Sequence, residues 1–163
     1  MKLMMRIACL TIAIVPMADL TSAGQDTTEP ATAALSGETR ALLIREMQAI
    51  AQAMGLVHTA IVTGDHEMVA TEAGKIHESF VLAREITPSQ REEIATRLPE
   101  GFVVADRAFH ELAARLAEAG GQSDPRLERL WFQEMTRACQ ACHADYAGSR
   151  FPGLTADGGG GRH

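Results

Sequence analysis

Aromatic residues are scarce in this sequence, making up 4% of its 163 residues, with a single Trp and a single Tyr. The strands of β-sandwiches favour aromatic and β-branched residues, so this composition argues against such a fold. The chain also has no run of basic residues, and its formal net charge is −6. Because nucleic-acid-binding proteins normally present a basic surface, we expect no nucleic-acid partner.

Apolar residues, in contrast, account for 46% of the chain and charged residues for 22%, which is typical of a folded globular protein. Ala, Leu, Glu, Arg and Met are abundant, and these residues favour helices. The length is that of one ordinary domain. We therefore expect a single domain that is mainly helical.

The first 23 residues have the features of a secretory signal peptide. A positively charged start precedes a short apolar segment at 7–15, and Thr21-Ser22-Ala23 offers small residues for cleavage. The apolar segment is too short to span a bilayer. Cleavage would remove two basic residues and one acidic residue, changing the formal charge from −6 to −7. We expect a soluble periplasmic protein that keeps two of its three cysteines, Cys139 and Cys142.

Apolar residues in the mature chain recur at spacings of three and four, which predicts helices and no strand. The first helix has an apolar stripe of Leu43, Met47, Ile50, Met54, Val57 and Ile61. The four predicted long helices are 37–63, 65–84, 99–121 and 124–147, with a short helix or turn at 87–97.

Short connections between these helices favour antiparallel neighbours, so we predict an all-α, antiparallel four-helix bundle. The predicted bundle covers 36–148, between a flexible leader at 24–35 and a disordered tail at 149–163. Gly55 and Gly74 lie inside predicted helices, where each glycine costs up to about 1 kcal/mol. Close helix approach, within the bundle or across a dimer interface, would offset that cost.

The sequence Cys139-Gln140-Ala141-Cys142-His143 is the C-x-x-C-H pattern of c-type haem attachment. On a helix, residues at positions i, i+3 and i+4 share one face. Both thiols can therefore form thioethers with the vinyl groups of one haem, while His143 binds the iron as its proximal ligand. The pattern predicts one covalent haem c on the last helix of the bundle.

A non-haem dithiol or metal module is the alternative function for the two cysteines. A redox C-x-x-C pair usually follows a strand, and no strand is predicted before Cys139. A structural zinc site needs four Cys or His ligands, and the mature chain has no second cysteine pair. A plain disulfide between Cys139 and Cys142 would leave the adjacent His143 unexplained. Since no nucleophile–base set accompanies the motif, we do not expect an enzyme.

Three residues on the predicted last helix lie within a few turns of the motif, namely Trp131, Met135 and Tyr146. We expect them to line the haem pocket, although each could equally be an ordinary core residue. Among the histidines, His77 lies at the edge of the apolar stripe of the second helix. It is the histidine that we would choose as a sixth iron ligand, while the others are expected on helix surfaces.

The export signal, the four predicted helices and the motif on the last helix together resemble the class II c-type cytochromes, the cytochrome c′ family. The resemblance covers about 36–146 and includes Tyr146, three residues after His143, and the Met54-Gly55 step in the first helix. Ala147 departs from the family pattern, since many members have Arg or Lys after the aromatic residue.

The resemblance implies a haem among the four helices, with the first helix on its distal side. Registered on Met54-Gly55, it places Met47 at the distal position, where the low-spin branch binds iron through Met. It implies a carrier of single electrons and a homodimer formed through the first two helices. Five-coordinate members of the family suggest an alternative, a haem protein that binds NO or CO. The acidic charge suggests a redox partner with a basic docking patch.

Overall fold

The computed structural model describes residues 29–80 and 86–155, so the predicted signal peptide lies outside the described residues. The described part of the chain contains five α-helices, two short 3₁₀ turns and no strand, which confirms the all-α prediction there. The helices are α1 (Gly37–Thr63), α2 (His66–Glu78), α3 (Pro88–Arg97), α4 (Glu100–Gly121) and α5 (Pro125–Ala147), and the 3₁₀ turns are Ala31–Ala34 and Pro152–Leu154. None of these helices is long and apolar enough to cross a membrane.

The helix boundaries follow capping residues that are visible in the sequence. The side chain of Ser36 accepts a hydrogen bond from the Thr39 amide at the start of α1. The same helix ends at Gly64, whose φ of 74° lies in the left-handed region that favours glycine. Thr87 and Gln90 form a reciprocal capping box at the start of α3. Local chemistry therefore decides where most of the helices begin and end.

The second helix is shorter than predicted, since it ends at Glu78 and not near residue 84. The carbonyl oxygen of Ile76 accepts hydrogen bonds from the amide and hydroxyl of Ser79, at 3.1 and 2.9 Å. It also accepts one from Nδ1 of His110 on α4, at 2.6 Å. Because these donors occupy the Ile76 carbonyl, it is not paired with the amide four residues later, which would continue the helix. The helix therefore ends here.

The main contacts join α1 to α2, α2 to α4 and α4 to α5, a packing compatible with a helical bundle. The core between them includes Ile50, Val57, Val69, Ile76, Leu116 and Met135. The closest helix approach is at Gly120, where an added Cβ would lie 2.6 Å from the backbone nitrogen of Ala70. A Cβ added at Gly55 or Gly74 meets nothing within 4 Å apart from the neighbouring residues and backbone of its own helix, so of the two expectations for these glycines only the dimer interface stays a prediction.

The buried face of α1 differs from the predicted stripe. Its buried residues are Thr39, Leu43, Glu46, Ile50, Ala53, Val57 and Ala60. Leu43, Ile50 and Val57 are common to both stripes, but the packed flank carries the small Ala53 and Ala60. Met47 belongs to the opposite flank and is 38% exposed, so the expectation that it is buried is wrong. The packed flank combines these small alanines with the polar Thr39 and Glu46, whereas the predicted flank carries larger apolar side chains.

A second, smaller core cluster is built from Leu35, Leu43, Ile94 and Leu98. It joins the segment before α1 to the short helix α3. The guanidinium of Arg40 donates hydrogen bonds to three carbonyl oxygens of this segment, those of residues 32, 33 and 35. These contacts order part of the predicted flexible leader, and the 3₁₀ turn Pro152–Leu154 likewise orders part of the predicted disordered tail. The domain boundaries themselves stay a prediction.

Candidate functional site

The C-x-x-C-H motif lies in the last two turns of α5, with all of its residues inside the helix. Cys139, Cys142 and His143 are each half-buried, and helical spacing puts them on one face. Cys139 packs against the main core, and both cysteines are free thiols. The structure therefore brings together two available sulfurs and one imidazole, the set that covalent haem attachment requires.

Both thiols are held in their protonated form. Burial raises the pKa of Cys139 above its ordinary value. Burial, assisted by the negative charge of Asp106, raises the pKa of Cys142 to about 11. Catalytic and redox-active cysteines have lowered pKa values, because the thiolate is the reactive form. The environment of this pair therefore argues against a dithiol redox centre.

His143 lies in an environment that favours its neutral form, since burial lowers the pKa of the imidazole. A neutral imidazole is the form that binds a metal ion. One face of the ring is covered by Phe151, with ring centroids 4.2 Å apart and planes inclined by only 3°. His143 is therefore both neutral and held in a defined orientation.

The other predicted pocket residues of α5 occupy three different environments. Met135 is fully buried in the main core, and Trp131 packs against that core with the Arg115 guanidinium 5.1 Å from its ring centroid. Tyr146 packs edge-on against Phe102 near the start of α4, with ring centroids 5.5 Å apart. Met135 and Trp131 thus contact the same core as Cys139, whereas Tyr146 joins the end of α5 to α4.

Neither candidate for the sixth iron ligand is buried. Met47 is exposed on α1, although its neighbour Glu46 is buried. His77 is also exposed, and its Nδ1 lies 3.1 Å from the carbonyl oxygen of His110, to which it donates. Ligation by either residue stays a prediction.

The sequence analysis missed a buried cluster of ionisable side chains between α1 and α4. Nε2 of His110 lies 3.7 Å from Glu46 and 3.6 Å from Asp106, and only 2% of the His110 side chain is exposed. Burial favours the neutral imidazole, but Asp106, the carbonyl of Ile76 and Glu46 outweigh burial and raise the pKa of His110. Because the charge of Asp106 also acts on Cys142, the cluster adjoins the motif.

A signal for this cluster exists in the sequence. Glu46 falls between Leu43 and Ile50 at the spacing of a buried position, and Asp106 and His110 are one turn apart on α4. An ionisable side chain taken singly is nevertheless expected on a helix surface, and that expectation is wrong for His110, which is buried. Only the tertiary structure, which brings Glu46 of α1 to 3.7 Å from His110 of α4, shows that the three side chains lie together.

The described residues contain no group of three or more His, Cys, Asp or Glu side chains that could hold a metal ion. One cavity of about 260 Å³ is lined by Trp131 and residues of α4, and another of about 180 Å³ lies between α1 and α2. Neither is lined by the motif.

No protein-family model, curated protein or solved structure matches this chain. The interpretation of the site therefore depends on its own residues.

Proposed function

We propose that this protein is a periplasmic monohaem c-type cytochrome of the class II kind that carries single electrons on an antiparallel four-helix bundle. The observation that carries the proposal is the placing of Cys139, Cys142 and His143 on one face of α5, where both thiols are free. The raised pKa values of the two thiols count against the dithiol alternative.

When bound, haem c supplies an iron that takes one electron from a reduced donor and passes it to an oxidised acceptor. Cys139 and Cys142 would hold the group through two thioether bonds. In each bond the sulfur joins a vinyl carbon and the thiol hydrogen passes to the neighbouring carbon, so no oxidant is needed. His143 would bind from the proximal side through its neutral imidazole.

The remaining residues of the site control polarity around the group. Met135 and Trp131 provide apolar surface next to Cys139, which limits the access of water. The charge of Asp106 acts on Cys142, and Asp106 in turn lies 3.6 Å from Nε2 of His110. A redox potential depends on both burial and nearby charge, so we expect these two groups of residues to set it together.

The number of iron ligands distinguishes the two candidate functions: six for an electron carrier and five for a protein that binds NO or CO. We propose Met47 as the distal ligand, with His77 as the alternative, and ligation by Met47 requires α1 to turn that flank inward. The exposure of Met47 favours the second candidate function, a five-coordinate haem protein that binds NO or CO.

The test is to express the full chain in a bacterial host that has the c-type haem maturation machinery. We expect export and a covalent haem that survives denaturation and acid-acetone extraction. Cys139→Ala/Cys142→Ala should export without covalent haem, and Thr136→Ala, on the exposed face of α5, is the matched control. A wild-type protein that is exported and folded but carries no covalent haem would contradict the proposal.

Visible spectra with and without CO then decide the coordination. Low-spin spectra that CO does not change would support a sixth ligand, and Met47→Ala or His77→Ala should open the site if that residue is the ligand. High-spin spectra with ready CO binding would contradict ligation by Met47 and favour gas binding.

A further inference from the structure

The segment that follows α5 folds back so that an aromatic ring lies against the motif histidine. The amide of Phe151 donates to the carbonyl oxygens of Ala147 and Gly148, at 3.2 and 3.1 Å. The carbonyl of Phe151 accepts from the amide of Leu154 at 2.9 Å, inside the 3₁₀ turn. Backbone hydrogen bonds on both sides therefore fix the main chain of Phe151, from which its ring extends to His143.

Close packing at Gly148 restricts this turn further. A Cβ added there would lie 2.8 Å from Cγ2 of Thr155 and 3.2 Å from the carbonyl oxygen of Ala144. The chain after α5 therefore packs closely against the helix that carries the motif. The turn holds the Phe151 ring parallel to the imidazole of His143, with centroids 4.2 Å apart.

Phe151 is exposed to solvent over 39% of its surface, so its ring is only partly covered by the protein. One of its faces covers an imidazole ring, and in that position it shields His143 from water on that side. Because this partly exposed ring stacks on His143, we look for its function at that histidine.

We propose that Phe151 is a positioning residue for His143, which fixes the plane of the imidazole and keeps water from one of its faces. The inference rests on the proposed function, because its consequence is the way in which His143 holds the haem iron. Groups next to a metal-binding histidine orient its ring, and the apolar shell around the site sets the potential.

The direction of the effect follows from solvation. Water next to the imidazole stabilises the ferric state more than the ferrous state, because the ferric state carries one more positive charge. Removing the ring should therefore lower the midpoint potential. The interaction energy of an aromatic pair is equivalent to about a 2- to 10-fold change in an equilibrium constant, and tenfold corresponds to about 59 mV for one electron. Only the part of this energy that differs between the ferric and ferrous states changes the potential, so the lowering should be smaller than about 59 mV.

The experiment compares Phe151→Leu, Phe151→Met and Phe151→Tyr with wild type, all exported and loaded with haem. The readouts are the midpoint potential, the iron–imidazole stretching band of the ferrous protein by resonance Raman, the covalent haem content and the thermal midpoint. Leu154→Ala is the matched control, because it removes an exposed apolar side chain from the same turn without touching the stack.

We expect Phe151→Leu and Phe151→Met to keep covalent haem, to lower the potential and to shift or broaden the iron–imidazole band. Phe151→Tyr should restore both properties, and Leu154→Ala should keep them at the wild-type values. A wild-type potential and band in both non-aromatic variants would overturn the inference, as would equal shifts in Leu154→Ala. If either Phe151→Leu or Phe151→Met does not fold, the potential and the iron–imidazole band of the other variant test the inference.

The stack and the proposed function can fail separately. In the haem-free full chain, loss of the Phe151 ring should move the His143 imidazole proton resonances downfield, because a stacked ring shields them. No such shift would overturn the stack even if haem attaches. If removal of the ring does move these resonances downfield but the wild-type chain never acquires haem, the stack is supported. The proposed function is then overturned, and with it the role of Phe151 toward iron.

Discussion

The contact between α2 and α4 predicts opposite effects for two adjacent glycines at the end of α4. Gly120 is buried, and a Cβ placed there would lie 2.6 Å from the backbone nitrogen of Ala70 and 2.9 Å from the carbonyl oxygen of His66. Both are backbone atoms and cannot move aside without shifting α2. Gly121 is exposed and has no described atom within 4 Å of such a Cβ.

The size of the effect follows from two opposing contributions. Forcing an extra methyl group into a packed contact costs about 1–3 kcal/mol. Replacing a helical glycine by alanine stabilises a helix by up to about 1 kcal/mol. Gly120→Ala should therefore lower the free energy of unfolding by about 0–2 kcal/mol, while Gly121→Ala should raise it by up to about 1 kcal/mol. The two variants should differ by about 1–3 kcal/mol, with Gly120→Ala the less stable.

Urea denaturation followed by far-ultraviolet circular dichroism measures this difference, with both variants prepared in the same haem state. A difference of 1 kcal/mol moves the thermal midpoint of a protein of this size by roughly 4 °C, so melting curves give a second reading. If Gly120→Ala is as stable as Gly121→Ala, α2 and α4 do not approach each other as closely as the structure has it, and the reasoning is refuted.

Three further predictions concern titratable groups. The folded state raises the pKa of His110 above 6.5, so its contribution to stability is complete below pH 6.5 and is lost as pH rises through the raised value. Denaturation at several pH values should show this fall, and His110→Gln should reduce it. Hydrogen bonds from Thr39 and Ser36 lower the pKa of Glu93, so its contribution should be lost as pH falls below 4.5, and Glu93→Gln should flatten the acid side of the same profile. Because burial raises the pKa of Cys142 from 9.0 to about 11, its alkylation by iodoacetamide in the haem-free chain at pH 8 should be about 10- to 100-fold slower than that of an unperturbed thiol, the smaller thiolate fraction being offset in part by the higher nucleophilicity of the thiolate. Alkylation at the rate of a model peptide would contradict the burial of this thiol.

The helix ends could be predicted because they depend on neighbouring residues. Ser36 and Gly64 bound α1, and Thr87 and Gln90 cap α3, in each case through contacts within a few positions along the chain. The motif is local in the same sense, since five consecutive residues on one helix determine which side chains share a face. The match between these predictions and the structure reflects short-range geometry.

Side-chain burial on α1 could not be predicted in this way. The flank containing Met47 and the flank containing Glu46 adjoin the same apolar residues, Leu43 and Ile50, and either could have been packed. Helical periodicity favours apolar positions and would not select a carboxylate. Glu46 lies inside because α4 presents His110 opposite it, and that pairing depends on two segments more than 60 residues apart.

The amino-acid sequence by itself determined the helical class, most of the helix ends and the grouping of Cys139, Cys142 and His143, because each depends on local hydrogen bonding and helical spacing. Only the tertiary structure decided that the leader packs on α3, that His110 contacts two carboxylates, and that Phe151 stacks on His143. These features arise where separate segments meet. Their energies depend on burial and on the distance between groups, neither of which the order of residues along one helix specifies.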